Sequence, residues 1–202
     1  ESFSSALEVA PGALPGWPQV LPALERLALQ LAAVTGAQSD RMTRDHGWRL
    51  LTVGRLLERL IGVTQRFEAF LDAAALGSAA GVDLLLDLFD SAITFRARYQ
   101  RHEDLLALTD VLVLDSANPR AFGGVLRRLR TEISKLPGTP ESLAPLLARL
   151  PDDGAGITLE SLRGASDAQI AQALRELSAR LYEAACALAD EIGHRYFTLA
   201  DG

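Results

Sequence analysis

The chain has 202 residues, of which 49% are hydrophobic, enough for a packed core in one domain or in one domain plus a tail. Aromatic residues make up only 6%, so leucine and alanine must fill that core, and this composition favours helices over sheets. The net charge of −6 argues against nucleic-acid binding by the whole domain. A single cysteine, Cys186, excludes an internal disulfide and is typical of a reducing cytoplasm.

The beginning of the sequence lacks the pattern of a signal peptide, and no apolar run reaches the ~20 residues needed to span a bilayer. The most apolar window, residues 71–89, is interrupted by Asp72, Asp83 and Asp87. We therefore expect a cytoplasmic protein that does not bind membranes.

In chain order, residues 1–16 contain two prolines and two glycines and are predicted to form a loop or a frayed terminus. The first helix is predicted over residues 17–35, ending at Gly36, and the second from a cap at Ser39 or Asp40 to about Ala75. A third helix is predicted over about residues 82–101. The first helix is expected to bury one stripe, formed by Leu24, Leu27, Leu31 and Val34.

Residues 104–114 are predicted to be helical, although residues 111–114 alone also have strand propensity. Asn118 and Pro119 are expected to be the N-cap and first residue of the next helix, which ends by Pro137. A shorter helix to Leu150, a loop over residues 151–157 and a long last helix complete the chain. Residues 17–202 are thus predicted to form one all-α domain, a multi-helix bundle with mostly antiparallel neighbours and no sheet.

One stripe of the second helix carries three glycines, Gly47, Gly54 and Gly62, together with Glu58. Each glycine costs about 1 kcal/mol relative to alanine in a helix, so we expect a neighbouring backbone to approach this stripe closely. Glu58 would then be buried and hydrogen-bonded to an arginine, for which Arg55, Arg96 and Arg98 are the candidates.

The third helix is apolar around most of its circumference, which is typical of a central helix. Arg96 stands alone on the apolar side and is expected to reach a carboxylate, for which Glu58 is a candidate.

The sequence contains no strong catalytic or metal-binding motif, since its three histidines are isolated and Cys186 lies among alanines, as an inert buried thiol would. The candidate functional site is a set of acidic and basic residues. Three interpretations stay open: a structural network of paired charges, a pocket that binds an anionic or peptide ligand, and a carboxylate pair for acid–base chemistry or a divalent metal. A basic face of Arg127, Arg128, Arg130 and Lys135 is either solvated or a docking surface. The candidate site residues are Arg44, Asp45, Arg55, Glu58, Arg59, Asp90, Thr94, Arg96, Arg98, Asp115, Asn118 and Arg120.

Three ordered motifs carry a family resemblance. The first is Arg44-Asp45-x-Gly-Trp-Arg followed by Gly54-Arg55-x-x-Glu58-Arg59, the second is residues 90–99 (DSAITFRARY), and the third is Leu114-Asp115-x-x-Asn118-Pro119-Arg120. In this order they resemble the bacterial alpha-E domain family. That family usually opens with an earlier helix bearing its own Gly-Arg-x-x-Glu-Arg copy, which is absent here, so we expect the carboxy-terminal portion of such a domain.

The resemblance implies an accessory domain, without a cofactor of its own, that partners an ATP-grasp-type carboxylate–amine ligase, possibly fused upstream. Such a domain would dock on the ligase or hold its peptide substrate. The alternatives are an independent enzyme or a metal- or anion-binding protein that uses the charged cluster, and a structural bundle that forms a homodimer. Asp90, Thr94 and Arg98 lie on successive turns of one arc of the third helix, which we call the Asp90 arc. Since the three motifs occur together, we expect the Asp90 arc, with Arg44 or Arg55, to lie in contact range of residues 115–120.

Overall fold

The computed structural model describes residues 16–99, 104–151 and 156–197, and no strand occurs within these ranges. The predicted all-α fold is confirmed. Residues 1–15 of the predicted terminal loop and most of the predicted 151–157 loop lie outside the described residues. The helices are α1 (Trp17–Arg41), α2 (His46–Asp72), α3 (Ala79–Leu88), α4 (Ala92–Tyr99), α5 (Leu105–Thr109), α6 (Phe122–Ile133), α7 (Pro140–Ala148), α8 (Leu159–Leu162) and α9 (Asp167–Phe197).

Two compact units divide the chain, one ending at Trp48 and the other beginning at Arg49. The prediction of one domain over residues 17–202 stays a prediction. In the first unit, α1 continues six residues past its predicted end at Thr35, because an exposed glycine such as Gly36 only weakens a helix and does not stop it. α1 therefore includes Ser39 and Asp40, and the side chain of Asp45 caps α2 instead.

The predicted buried stripe of α1 is wrong for three of its four residues. Leu24, Leu31 and Val34 are exposed, and Leu27 is half-buried. Contrary to expectation, the segment Val20–Arg41 is long and apolar enough, by length and composition, to cross a bilayer. Those two properties are shared by core helices and signal sequences, so the absence of membrane binding stays a prediction.

The second unit is built on a leucine-rich core around Phe67 of α2. The Phe67 ring packs edge-on against Phe89 and Phe122, with centroids 6.1 and 5.5 Å apart. The long helix α9 buries one residue per turn against this core, as its sequence spacing predicts: Ile170, Leu174, Leu177, Leu181, Ala185, Leu188 and Ile192.

The predicted third helix is two helices, because the chain turns sharply at Asp90. Asp90 adopts a left-handed conformation with φ of 45°, which aspartate tolerates better than most residues. The N–H of Ser91 then bonds back to the carbonyl of Leu86 at 2.8 Å. With the helix broken, its apolar surface is only partly covered, and Leu84, Leu88 and Ile93 are exposed, so the predicted central position is wrong.

Among the described residues, no neighbouring backbone approaches the glycine stripe of α2. A Cβ added at Gly54 would find nothing within 4 Å, and one at Gly62 would meet only the flexible end of Arg66. Glu58 on the same stripe is exposed, so its predicted burial in a helix–helix seam is wrong.

Residues 105–114 are helical as predicted, although the last turn, Asp110–Leu114, is a π-helical segment. Such wider turns are rare and occur often at functional sites. The next helix, α6, begins three residues later than predicted, at Phe122 with Ala121 as its N-cap, because Asn118 forms other hydrogen bonds.

Candidate functional site

Asn118 of the third motif connects three separate parts of the second unit. Its side-chain amide donates to the Ser91 hydroxyl at 3.0 Å and to the Val111 carbonyl at 3.1 Å, and its side-chain oxygen accepts from the Arg120 N–H at 3.0 Å. Ser91 is buried and Asn118 is half-buried. Asn118 therefore joins the turn after α3 to the π-helical segment and does not cap a helix as predicted.

Arg98 and Tyr99, at the end of α4, bind carboxylates of the segment that follows α5, and Asp110 accepts from both of them. The Arg98 guanidinium donates to Asp115 at 2.6 Å and to Asp110 at 3.4 Å, while the Tyr99 hydroxyl donates to Asp110 at 2.7 Å. The other oxygen of Asp115 accepts from the N–H groups of Ala117 and Asn118 at 2.8 and 3.2 Å. The second and third motifs are thus held together by a connected set of polar contacts.

The ionisation of these groups follows from their contacts. Desolvation opposes the charged form of Arg98, but the hydrogen bond and the charge of Asp115, with those of Asp110, raise the pKa of Arg98 overall. Burial, together with the hydrogen bond to Asp110 and its charge, raises the pKa of Tyr99 to about 12. Both residues therefore keep their protons at neutral pH, and this part of the site acts as a structural network.

Two arginines of the second unit, Arg120 of the third motif and Arg128 of α6, lie close enough to Arg59 of the first motif to lower its pKa. We call these three arginines the guanidinium cluster. Desolvation lowers the pKa of Arg59, and the positive charges of Arg128 and Arg120 lower it further. Arg120 forms an ion pair with Asp90 of the second motif. The expected contact of the Asp90 arc with residues 115–120 is therefore present, through Asp90 and Arg98, whereas the expected participation of Arg44 or Arg55 stays a prediction.

The other candidate residues lie outside this cluster. Arg96 pairs with Asp83 at 3.0 Å, not with Glu58, and Glu58 takes part in none of the ion pairs between described residues. Arg55 is exposed and Thr94 is half-buried. Arg44 stacks over the Trp48 ring at 4.6 Å, and Asp45 accepts from the Trp48 N–H at 3.0 Å. Those two contacts lie within the first unit, so a role for Arg44 near residues 115–120 stays a prediction.

Some predictions about single residues need correction. Cys186 is half-buried and not fully buried. On the predicted basic face, Lys135 pairs with Glu132 at 2.8 Å, and Arg130 donates to the Leu150 carbonyl at 2.5 Å.

Among the described residues, no group of three or more His, Cys, Asp or Glu side chains is arranged to hold a metal ion. The carboxylates nearest the site bind arginine, tyrosine and backbone N–H groups instead.

Sequence reasoning missed several contributors. Asp110 is the only charged residue of the mostly apolar segment 105–114, and that position could have indicated a buried partner. Arg128 was assigned only to a solvated or docking face, and no sequence spacing links it to Arg59. A second Glu-Arg pair, Glu25-Arg26, is also present in α1, within the same Leu-Glu-Arg-Leu context as Glu58-Arg59.

Comparisons with known proteins agree with the motifs. Residues 4–197 match the family Alpha-E, described as "A predicted alpha-helical domain with a conserved ER motif". The match begins well before the first motif, and the expectation that only a carboxy-terminal portion is present stays a prediction. No solved structure matches the chain.

Three curated relatives share 27% identity with this chain over 117 residues: Uncharacterized protein Rv2567 and Uncharacterized protein MT2643 of Mycobacterium tuberculosis strains, and Uncharacterized protein Mb2597 of Mycobacterium bovis. The matched segment covers 57% of this chain but only 13% of each relative. Since the family match extends over nearly all of its length, the chain belongs to the Alpha-E family.

Proposed function

We propose that this chain is an accessory helical domain of an ATP-grasp-type carboxylate–amine ligase system, in which it holds the peptide substrate by a carboxylate group. The single observation that carries the proposal is the guanidinium cluster. The cluster brings positive charges from three separate elements near one another. One of its members, Arg120, already binds a carboxylate, that of Asp90.

The chemistry of the cluster suits a carboxylate. A guanidinium group presents paired N–H donors in a plane and binds a carboxylate through two parallel hydrogen bonds. Burial lowers the pKa of Arg59 first, and repulsion from the positive charges of Arg128 and Arg120 lowers it further. An anion placed among the three guanidinium groups would relieve that repulsion. A ligase of the expected type activates a carboxylate, so its substrate carries the group that these arginines recognise.

Two further observations fit an accessory role. The polar network around Asn118 is fully occupied by structural contacts, and it fixes the backbone from which Arg120 extends. The curated relatives are several times longer than the matched segment, as expected when the helical domain is one part of a larger protein.

The test uses the intact parent protein together with the ligase encoded beside it. We expect the two to co-purify, and we expect ATP-dependent amide formation to require both. Arg59→Gln and Arg120→Gln should raise the KM for the carboxylate substrate at least ~10-fold, the effect of losing about 1.4 kcal/mol of binding. Arg163→Gln is the matched control, because Arg163 is an exposed arginine paired only locally with Glu160 at 3.2 Å. Unchanged kinetics in both cluster variants would refute the proposal.

A second candidate function, a bundle that forms a homodimer, is favoured by the exposed leucines of α1. Leu21, Leu24, Leu29 and Leu31 are each at least half exposed. Apolar side chains in such a row are typical of a surface that is covered by a partner. A strict monomer in light scattering at high protein concentration would exclude this candidate.

A further inference from the structure

The side chain of Asp90 reaches the guanidinium cluster from the sharp turn between α3 and α4, where it forms an ion pair with Arg120. We propose that Asp90 is a built-in competitor of the carboxylate ligand: it occupies Arg120 in the free protein, and the ligand displaces it. Asp90 would thereby set the affinity of the site and the class of carboxylate that the site accepts. This inference rests on the proposed function, because it concerns the same site.

The turn at Asp90 does not itself require an acidic side chain. The Asp90 N–H donates to the Asp87 carbonyl at 2.9 Å, and Asp90 lies in the left-handed region. The Ser91 N–H donates to the Leu86 carbonyl at 2.8 Å, which completes the end of α3. Glycine is the usual residue at this position of a helix end, because it adopts a positive φ without steric cost. The contact with Arg120 therefore gives a reason for an aspartate here that the turn alone does not give.

The backbones on both sides of the ion pair are held together independently of it. Asn118 donates at 3.0 Å to the hydroxyl of Ser91, the buried residue that directly follows Asp90. The side-chain oxygen of Asn118 also accepts from the Arg120 N–H at 3.0 Å. The Asp90 carboxylate is therefore tethered close to Arg120 whether or not the two side chains are paired. A group tethered by so short a link competes at an effective concentration on the order of millimolar.

The ion pair is open to solvent, so a ligand can replace it. The exposed fraction is 70% for the Asp90 side chain and 46% for that of Arg120, and water and salt weaken ion pairs at such positions. Among the described residues, Arg120 is the only ion-pair partner of Asp90. A ligand carboxylate that also binds Arg59 or Arg128 gains charge-assisted hydrogen bonds that Asp90 does not make. The competitor thus selects ligands whose carboxylate contacts more than one of the three arginines.

The test removes the tethered carboxylate and measures the affinity of the site for a free one. The isotope-labelled chain is titrated at constant ionic strength with N-acetyl-dialanine, and the amide signals of Arg59 and Arg128 report binding by NMR. We expect Asp90→Asn and Asp90→Gly each to bind the dipeptide at least ~3-fold more tightly than the wild type, since the ligand no longer breaks an ion pair. Asparagine and glycine both suit a left-handed residue, and structural damage would weaken binding and not tighten it.

Asp87→Asn is the matched control, because it removes the same charge from an exposed residue one turn nearer the start of α3. Asp87 takes part in none of the ion pairs between described residues. We expect this variant to bind the dipeptide as the wild type does. Arg59→Gln, made in the wild type and in Asp90→Asn, verifies that binding occurs at the guanidinium cluster. Thermal unfolding followed by circular dichroism verifies that every variant is folded.

The competitor and the proposed function fail on different results. If both Asp90 variants bind with the affinity of the wild type while Arg59→Gln removes binding, the competitor is refuted and the proposed function stands. An equal gain of affinity in Asp87→Asn also refutes the competitor, because the gain would then come from the net charge. If neither the wild type nor any variant binds the dipeptide, this inference and the proposed function are both overturned.

Discussion

Two glycine-to-alanine substitutions should change stability in opposite directions. A Cβ added at Gly124, in the first turn of α6, would overlap the carbonyl oxygen of Asn118 and lie 2.7 Å from its carbonyl carbon. A Cβ added at Gly54, in the middle of α2, would find nothing within 4 Å. The two positions therefore separate a glycine required by close packing from one that merely weakens its helix.

The magnitudes follow from these distances. Contacts between carbon and oxygen are comfortable from about 3.3 Å, so the Asn118 carbonyl oxygen, 1.8 Å from the added Cβ, must move by about 1.5 Å to accept alanine at position 124. Overpacking of this kind typically costs about 1–3 kcal/mol, and the displaced Asn118 would also weaken its bonds to Ser91 and Val111, so we expect a loss of about 3 kcal/mol for Gly124→Ala. For Gly54→Ala we expect a gain of about 0.5–1 kcal/mol, because alanine has the higher helix propensity.

Urea unfolding of the wild type and both variants, followed by circular dichroism, measures the free energies by linear extrapolation. The reasoning would be refuted if Gly124→Ala unfolded at the same urea concentration as the wild type. A clear loss of stability in Gly54→Ala would instead support the close helix contact that the sequence predicted for this stripe.

Replacing Asn118 by Ala should lower the free energy of unfolding by about 2 kcal/mol, because the buried Ser91 hydroxyl and the Val111 carbonyl each lose a donor. A double-mutant cycle with Ser91→Ala should show a coupling energy of about 0.5–1 kcal/mol. Burial and Asp110 raise the pKa of Tyr99 from 10.0 to about 12, so the protonated phenol stabilises the fold below pH 10 and this contribution is lost as the pH rises from 10 to 12. The difference in unfolding free energy between the wild type and Tyr99→Phe should therefore shrink over that range. Glu58→Gln should change the unfolding free energy by less than about 0.5 kcal/mol in urea melts, because Glu58 is exposed.

For each of these three predictions, a specific result would contradict the physical reason given. Additive effects of the Asn118 and Ser91 substitutions would show that their hydrogen bond contributes nothing measurable. A pH-independent difference for Tyr99→Phe would mean that its hydroxyl does not depend on Asp110. A loss of about 3 kcal/mol or more in Glu58→Gln would indicate a buried charge pair.

Helix content was predictable because the strongest signals are local. The apolar repeat of α9, with one buried residue per turn from Ile170 to Ile192, needs no knowledge of its partners. The π-helical segment was correctly predicted as helical for a similar reason, since a strand would have needed a partner strand.

Boundaries and packing depended on long-range contacts and were less predictable. Asn118 before proline is a typical helix start, but its hydrogen bonds to Ser91 and Val111 override that local preference. The break at Asp90 was missed because neither glycine nor proline marks it. Gly54 shows the converse error, since helical glycines can indicate close packing but do not require it.

The contact between the second and third motifs was predicted correctly, whereas the predicted pairing of Glu58 in the first motif was wrong. Asp90 reaches Arg120, and Arg98 reaches Asp115, as their shared occurrence suggested. Glu58 was assigned the central role, whereas its neighbour Arg59 is the one that approaches the other motifs, because adjacent residues on a helix point about 100° apart.

The most direct test of carboxylate recognition by the guanidinium cluster is an NMR titration with N-acetyl-dialanine, compared with the same dipeptide as its C-terminal amide. The two ligands differ only in the carboxylate that the arginines would bind. We predict saturable shifts of the Arg59, Arg120 and Arg128 amide signals with the free acid, binding of the amide at least ~10-fold weaker, and loss of the difference in Arg59→Gln. Equal binding of acid and amide, or a preference for the acid that survives in Arg59→Gln, would contradict this account.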